Sequence, residues 1–283
     1  MKIEELQDKA NEIREIIIKM LAGAGSGHSA GALGSADFWT ALYFGGVINY
    51  RSDEPEWEDR DRVVLSAGHY CPVLYAVLAE AGFFLKEELD SLRKIDSRLQ
   101  GHPHKSSTSE VEQLPGVENT SGPLGQGVSV AVGMAMAAKM DKKDWRVICF
   151  MGDGEQNEGQ VWEAYLNAAK FDLGNLTLVI DRNNIQLSGR TETIMPLEPF
   201  KAKLESFGLR VIEVNGHDIE EILQAMKMAR VMLDRPTAII LYTTPGKGVD
   251  FMENKSEWHG KPPIEPGEAV EALEEINSIK TYE

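Results

Sequence analysis

The stretch from residue 147 to 184 constrains the fold more than any other part of the chain. An apolar run, VICFM (147–151), enters Gly152-Asp153-Gly154. A helix-like segment, 158–171, follows. A second apolar run, LTLVI (176–180), then leads to Asn183-Asn184. The spacing predicts a strand, a crossover helix and a second, parallel strand, the size of one βαβ unit. If the two strands are neighbours, their carboxyl ends lie about 5 Å apart. Asp153 and Asn183 then stand side by side at the crevice where open α/β sheets bind ligands. A carboxylate and a carboxamide offer hard oxygens, which suit Mg²⁺ or another divalent cation whose remaining positions go to phosphate and water. Gly152 and Gly154 allow a tight turn and a close approach of backbone to an anion. The helix after them adds the positive end of its dipole. A lone Gly-Asp-Gly is more often an ordinary turn. The Asn-Asn at crossover distance turns the reading toward a metal–diphosphate site.

The remainder of the chain extends the same pattern. Periodicity predicts helices over 3–22, stopped by Gly23, and over 36–44, 70–81, 86–97, 124–140, 218–232 and 267–278. Strands are expected at 63–66, 211–214 and 238–242. The strands are apolar on both faces, as in a sheet covered on each side. The expected fold is therefore α/β: a doubly wound, mostly parallel sheet flanked by helices, in one domain spanning 1–283. Residues 267–283 form an exposed acidic helix and tail. The stretch 98–122 has no period and is long for a loop, a length that often accompanies function.

Charge and cysteine content exclude several classes. The formal net charge of −16 opposes binding to nucleic acid or to an anionic membrane. No apolar run approaches the roughly 18 residues of a membrane span. Cys71 and Cys149 sit in apolar runs and read as small buried hydrophobes, not as a disulfide framework. The charged start MKIEELQDKA lacks a signal core, so the expected location is cytoplasmic.

Four of the six histidines, His28, His69, His102 and His259, lie in glycine-containing loops. Each alone reads as a turn residue. Four converging loops would instead bring together groups able to bond hydroxyls and move protons near neutral pH. His104 is left open. His217 reads as a loop and cap residue, and Met226, Met228 and Met232 as packing.

The Gly-Asp-Gly…Asn-Asn arrangement resembles the signature of thiamine-diphosphate enzymes. Six segments, in order, are similar to those of transketolases: GSGHSAGALG (25–34), NYRSDEPEWEDRDRVVLSAGH (49–69), GHP (101–103), PGVENTSGPLGQGVSVAVG (115–133), GDGEQNEGQVWEA (152–164) and EWHGKPP (257–263). The resemblance covers roughly residues 5–265 and matches only the amino-terminal, diphosphate-binding half. It implies that Asp153, Asn183 and the carbonyl of Ile185 hold Mg²⁺, and that Gly152 and Gly154 line the diphosphate, with the Gly154 amide donating to it. It further implies that Gly122 and Leu124 contact the aminopyrimidine and that Leu187 packs on the thiazolium. His69 and His259 would lie near the diphosphate and the reacting carbon, His28 and His102 at the sugar. Glu158 and Glu163 would lie near the interface between paired sites. Departures occur at Ser29-Ala30, where Pro-Gly is common, at Ala67, where Asn is frequent, and at His104 and KSSTSE after the GHP segment.

The implied function is the amino-terminal subunit of a two-subunit transketolase. Such an enzyme moves a two-carbon ketol unit from a ketose phosphate to an aldose phosphate. It would work only with a separate pyrimidine-domain subunit, in an α2β2 assembly. The alternatives are another thiamine-diphosphate enzyme, such as 1-deoxyxylulose-phosphate synthase or an oxo-acid dehydrogenase component, and a non-catalytic relic. The segments PGVENTSGPLGQG and RDRVVLSAGH argue against the first, and Asp153, Asn183 and the four loop histidines against the second.

Overall fold

The computed structural model describes residues 1–105 and 112–279. In chain order the elements are α1 (Ile3–Ala24), α2 (Ala30–Gly34), α3 (Ala36–Phe44), β1 (Arg62–Leu65), α4 (Cys71–Glu80), α5 (Gln126–Met140), β2 (Val147–Gly152), α6 (Gly159–Lys170) and β3 (Leu176–Arg182). They continue with β4 (Ile185–Gln186), β5 (Gly189–Arg190), α7 (Thr191–Ile194), α8 (Phe200–Ser206), β6 (Arg210–Asn215), α9 (Ile219–Val231), β7 (Thr237–Tyr242) and α10 (Glu268–Ser278). Five strands form one parallel sheet in the order β1-β2-β3-β7-β6. β4 and β5 make a separate small hairpin.

The doubly apolar strands are explained by two cores, one on each face. Alternate residues Ile148 and Phe150 of β2 join a core with α1, α3, α4 and α9. Their neighbours Cys149 and Met151 join the other core, with α5, α6 and α8. Phe150 meets Trp39 of α3 at 5.0 Å between ring centres, an aromatic contact that fixes the angle of that layer. β2 and β3 are direct neighbours, with Gly152 opposite Asp181, so the turns after them emerge together.

At the opposite end of the sheet, carbonyls at the end of α9 and in the turn after α6 converge. Cations meet them there: Arg146 donates to the carbonyls of Gly174, Ala229 and Arg230, and Lys139 to those of Phe171 and Asp172. This arrangement satisfies helix C-termini and opposes their negative dipole ends.

Several expectations need correction. Residues 86–97 are not a helix. A 3₁₀ turn covers Lys86–Ser91, and the chain then reverses through Arg93 and Asp96 with positive φ, where Arg93 N–H bonds Leu99 O. The first helix passes Gly23 and ends at Gly25, whose φ of +63° suits a left-handed cap. The helix α10 is not exposed all round: Ala272 and Ile276 are buried while Glu271 and Glu274 are exposed. The short elements α2, α7, α8 and the β4–β5 hairpin lie where no period was visible. Residues 106–110 of the KSSTSE tract and 280–283 of the acidic tail lie outside the described residues. Among the described residues, no helix is long and apolar enough to cross a membrane.

Candidate active site

The carboxyl ends of β1, β2 and β3 open into a cleft of about 510 Å³. His69 enters from the turn after β1, His28 from the link between α1 and α2, His102 from the 98–105 loop and His259 from the turn after Trp258. Their ring centres lie 5.2 Å apart for His28–His69, 6.4 Å for His28–His102, 6.0 Å for His28–His259 and 5.1 Å for His69–His259. Burial lowers the pKa of all four, and for His28, His69 and His102 neighbouring positive charge lowers it further. His28 falls to about 4. Neutral imidazoles follow at physiological pH, each with one donor and one acceptor nitrogen. Among the described residues, His69 Nε2 and His259 Nδ1 in the cleft are buried without a hydrogen-bond partner. Buried polar atoms ordinarily find partners, so these two favour a polar ligand beside them.

Asp153 and Asn183 come from the ends of β2 and β3. Asp153 follows β2 and is 1% exposed. Its Oδ2 accepts from Arg182 Nη1 at 2.9 Å, the Asn184 amide at 2.8 Å and Thr191 Oγ1 at 3.2 Å. Burial raises its pKa to about 6 against the pull of Arg182, which leaves it ionised at neutral pH. Asn183 donates through Nδ2 to Asp181 Oδ2 at 2.7 Å and to the Tyr70 hydroxyl at 2.9 Å. Its Oδ1 accepts from Ile185 N at 3.0 Å. Among the described residues, no three His, Cys, Asp or Glu side chains are grouped to hold a metal ion unaided. One carboxylate, one carboxamide oxygen and a backbone carbonyl fit a cation that also binds phosphate and water.

Around Gly154 the backbone and its neighbours approach closely. A Cβ at Gly154 would meet Gln186 Oε1 at 2.9 Å, so the bare backbone leaves its amide reachable. Gly122 has a φ of +155° and lies beside His102, and Leu124 lines the same wall. Leu187 lies at the tip of the hairpin, lines the cleft and is 73% exposed, an apolar side chain facing the opening. Glu158 lines the cleft and is exposed. Glu163 lies on the exposed face of α6 and does not line the cleft.

His104 stands outside the cleft, exposed, at 3.5 Å from Thr120 Oγ1. His217 bridges two elements. Its Nε2 accepts from Thr244 N at 2.7 Å, so Nδ1 carries the proton and donates to Asp37 at 2.8 Å. The helix cap beside it is Asp218, which accepts from Glu221 N. Three buried groups were missed by reasoning on sequence: Asp181, Arg182 and Glu155. Asp181 accepts from Tyr70, Asn183 and Thr243, and burial raises its pKa. Glu155 accepts from Ser66, from Gly125 N at 2.7 Å and from Gly152 N at 3.3 Å, tying three loops together. The signal available was a charge directly beside an apolar strand, as in Asp181-Arg182 and Gly-Asp-Gly-Glu155.

Residues 6–277 match the family described as transketolase, thiamine diphosphate binding domain. One subunit of the apulose-4-phosphate transketolase of Phocaeicola vulgatus is 40% identical over 289 aligned positions, covering 99% of this chain and 100% of that one. The transketolase of Homo sapiens is 39% identical, covering 98% of this chain but 43% of the human protein. Among solved structures, transketolase from Campylobacter jejuni superposes with a TM-score of 0.90 at 36% identity, over 98% of this chain and 43% of that one. The chain thus spans less than half of the long transketolases and the whole length of the Phocaeicola vulgatus chain, and it belongs to the transketolase family as its thiamine diphosphate binding domain.

Proposed function

We propose that this chain is the amino-terminal subunit of a two-subunit transketolase, moving a two-carbon ketol unit from a ketose phosphate to an aldose phosphate. The observation that carries the reading is the meeting of four neutral imidazoles, from four separate loops, in the cleft that Asp153 and Ile185 also line, with Asn183 buried beside Ile185 just behind that wall. Asp153, Asn183 and the Ile185 carbonyl would hold Mg²⁺ or another divalent cation. The Gly154 amide would donate to the diphosphate. Gly152 gives that turn room, Gly122 and Leu124 would flank the aminopyrimidine, and Leu187 would pack on the thiazolium.

Thiamine diphosphate supplies, when bound, the carbanion that attacks the ketose carbonyl. The protein's part is to orient, dehydrate and move protons. His69 and His259, with an unpartnered nitrogen each, would bond the diphosphate end and the oxygens at the reacting carbon. His28 and His102 would hold protons at sugar hydroxyls on either side of the bond that breaks. Their lowered pKa values favour the neutral form, which can accept a proton and return it.

The partner would be a separate pyrimidine-domain subunit in an α2β2 assembly. The match to the full length of one transketolase subunit from Phocaeicola vulgatus supports a separate partner chain. So does a 6-deoxy-6-sulfo-D-fructose transketolase subunit of Clostridium sp., 39% identical and covered over 90% of its length. The outer faces of α5 and α6 expose Val130 (42%) and Leu166 (56%), and a Cβ on Gly133 would touch nothing, which leaves a smooth surface for another chain. Glu158 and Glu163 lie on this side, at the expected boundary between paired sites. The location proposed is cytoplasmic.

Calorimetric titration of thiamine diphosphate, with and without Mg²⁺, tests the site. Mg²⁺-dependent binding supports the enzyme reading. Absence of binding, both alone and with the partner, would leave a non-catalytic chain.

A further inference from the structure

Arg182 carries a charge that the chemistry above does not use. It ends β3, next to the carboxamide of Asn183, and is 2% exposed. Its Nη1 donates to Asp153 Oδ2 at 2.9 Å. Its Nη2 donates to Glu192 Oε1 at 2.5 Å and to Glu198 Oε1 at 3.2 Å. One guanidinium thus joins three carboxylates from two parts of the chain. A planar fork can do this where a single ammonium cannot.

The orientation of Asp153 follows from these bonds. Among the described residues, the hydrogen bonds that its carboxylate accepts, from Arg182, Asn184 and Thr191, all fall on Oδ2. With Oδ2 occupied, Oδ1 is the oxygen left for a cation. Glu192 and Glu198 belong to the segment 185–199, which also carries Leu187 and Met195 on the cleft wall. Without a cation between them, the three carboxylates would repel one another and the segment would lose its tie to β3.

We propose that Arg182 is a positioning residue. It turns Asp153 so that Oδ1 serves the metal, and it pins the 185–199 segment to the metal end of the cleft. This rests on the proposed Mg²⁺–diphosphate site. Groups that orient a metal ligand typically cost 10–100-fold in affinity when lost.

The test uses the full chain, its Arg182→Met and Arg182→Lys variants, and Mg²⁺ with inorganic pyrophosphate as the probe. Calorimetry reads Mg²⁺-dependent pyrophosphate binding. Amide exchange reads the 185–199 segment without Mg²⁺, with β2 and β7 as controls for the sheet. The expected result for Arg182→Met is binding weakened by about 10–100-fold and faster exchange in 185–199, with β2 and β7 still protected. Arg182→Lys should recover part of the binding and little of the protection. Should Arg182→Met lose protection throughout the sheet, Arg182→Lys decides: weaker binding with an intact sheet supports the proposal. Equal or tighter binding in a folded variant, or unchanged exchange in 185–199, would overturn it while leaving the site reading intact. A wild-type chain that binds no Mg²⁺–pyrophosphate would overturn the site reading and the proposal with it.

Discussion

The imidazoles of His28 and His69 stand 5.2 Å apart between ring centres, both driven toward the neutral form by burial and by the other imidazoles of the cleft. Two protonated rings at that separation would repel strongly in a medium poorer than water at screening charge. Keeping them neutral preserves both a donor and an acceptor on each ring.

The pH dependence of stability follows. His28 falls from 6.5 to about 4 on folding, so between those values the unfolded chain binds the proton more readily. Its contribution is fully present above pH 6.5 and is lost as pH falls through about 4. The shift corresponds to roughly 2–3 kcal/mol. Asp153 and Glu155, raised to about 6, act in the opposite sense, so the whole-protein profile mixes both signs. Urea unfolding of wild type and His28→Asn at several pH values isolates the histidine. The stability difference between the two should shift by that amount, toward the variant, between pH 7 and pH 4. A constant difference would contradict the burial of a neutral ring.

His102→Ala should lower kcat in the reconstituted enzyme by about 10²-fold, the scale of one proton-transfer group. Cofactor affinity should change little, because His102 comes from the 98–105 loop and not from the turns after β2 and β3 that carry Asp153 and Asn183. Steady-state kinetics at saturating thiamine diphosphate separate the two quantities. A cofactor defect with normal turnover would contradict the role at the sugar.

Asp153→Ala should reduce Mg²⁺-dependent thiamine diphosphate binding at least about 10-fold, since it removes the single carboxylate proposed for the cation. The fold should survive, because Arg182 keeps Glu192 and Glu198 as partners and is not left as an isolated buried charge. Calorimetry and thermal melting together check both statements, and unchanged affinity would remove Asp153 from the site.

Two glycines of α5 should respond in opposite ways. A Cβ at Gly127 would lie 2.5 Å from Ser66 Cα, so Gly127→Ala forces α5 away from β1 and should cost about 1–3 kcal/mol. A Cβ at Gly133 meets nothing, so Gly133→Ala should stabilise the isolated chain by about 0.5–1 kcal/mol through helix propensity. Denaturant midpoints read both. Gly133→Gln should leave the isolated chain folded yet weaken association with the partner, as sedimentation of the mixture would show.

The sheet was legible because its strands are apolar on both faces and separated by helices of regular period. The placing of Asp153 beside Asn183 was legible for the same reason: Gly152-Asp153-Gly154 and Asn183 each come at the end of such a strand, and β2 and β3 are neighbours. The hairpin at 185–190 and α7 were not legible, being a few residues long and polar, with no period to read. Asp181, Arg182 and Glu155 escaped for another reason. A charge in sequence is read as solvated, and their burial depends on partners far along the chain, such as Tyr70, Thr243 and Ser66. Four histidines in glycine loops could be singled out from sequence, but the meeting of the other three within 6.4 Å of His28 depends on the order in which the sheet brings its loops together.

Ketol transfer before and after mixing is the most direct measurement. This chain and its pyrimidine-domain partner are purified separately and assayed with a ketose phosphate, an aldose phosphate, thiamine diphosphate and Mg²⁺. Each chain alone should show no transfer, and mixing should produce activity that saturates at equimolar chains. Full activity from this chain alone, or none from the mixture, would contradict the two-subunit transketolase.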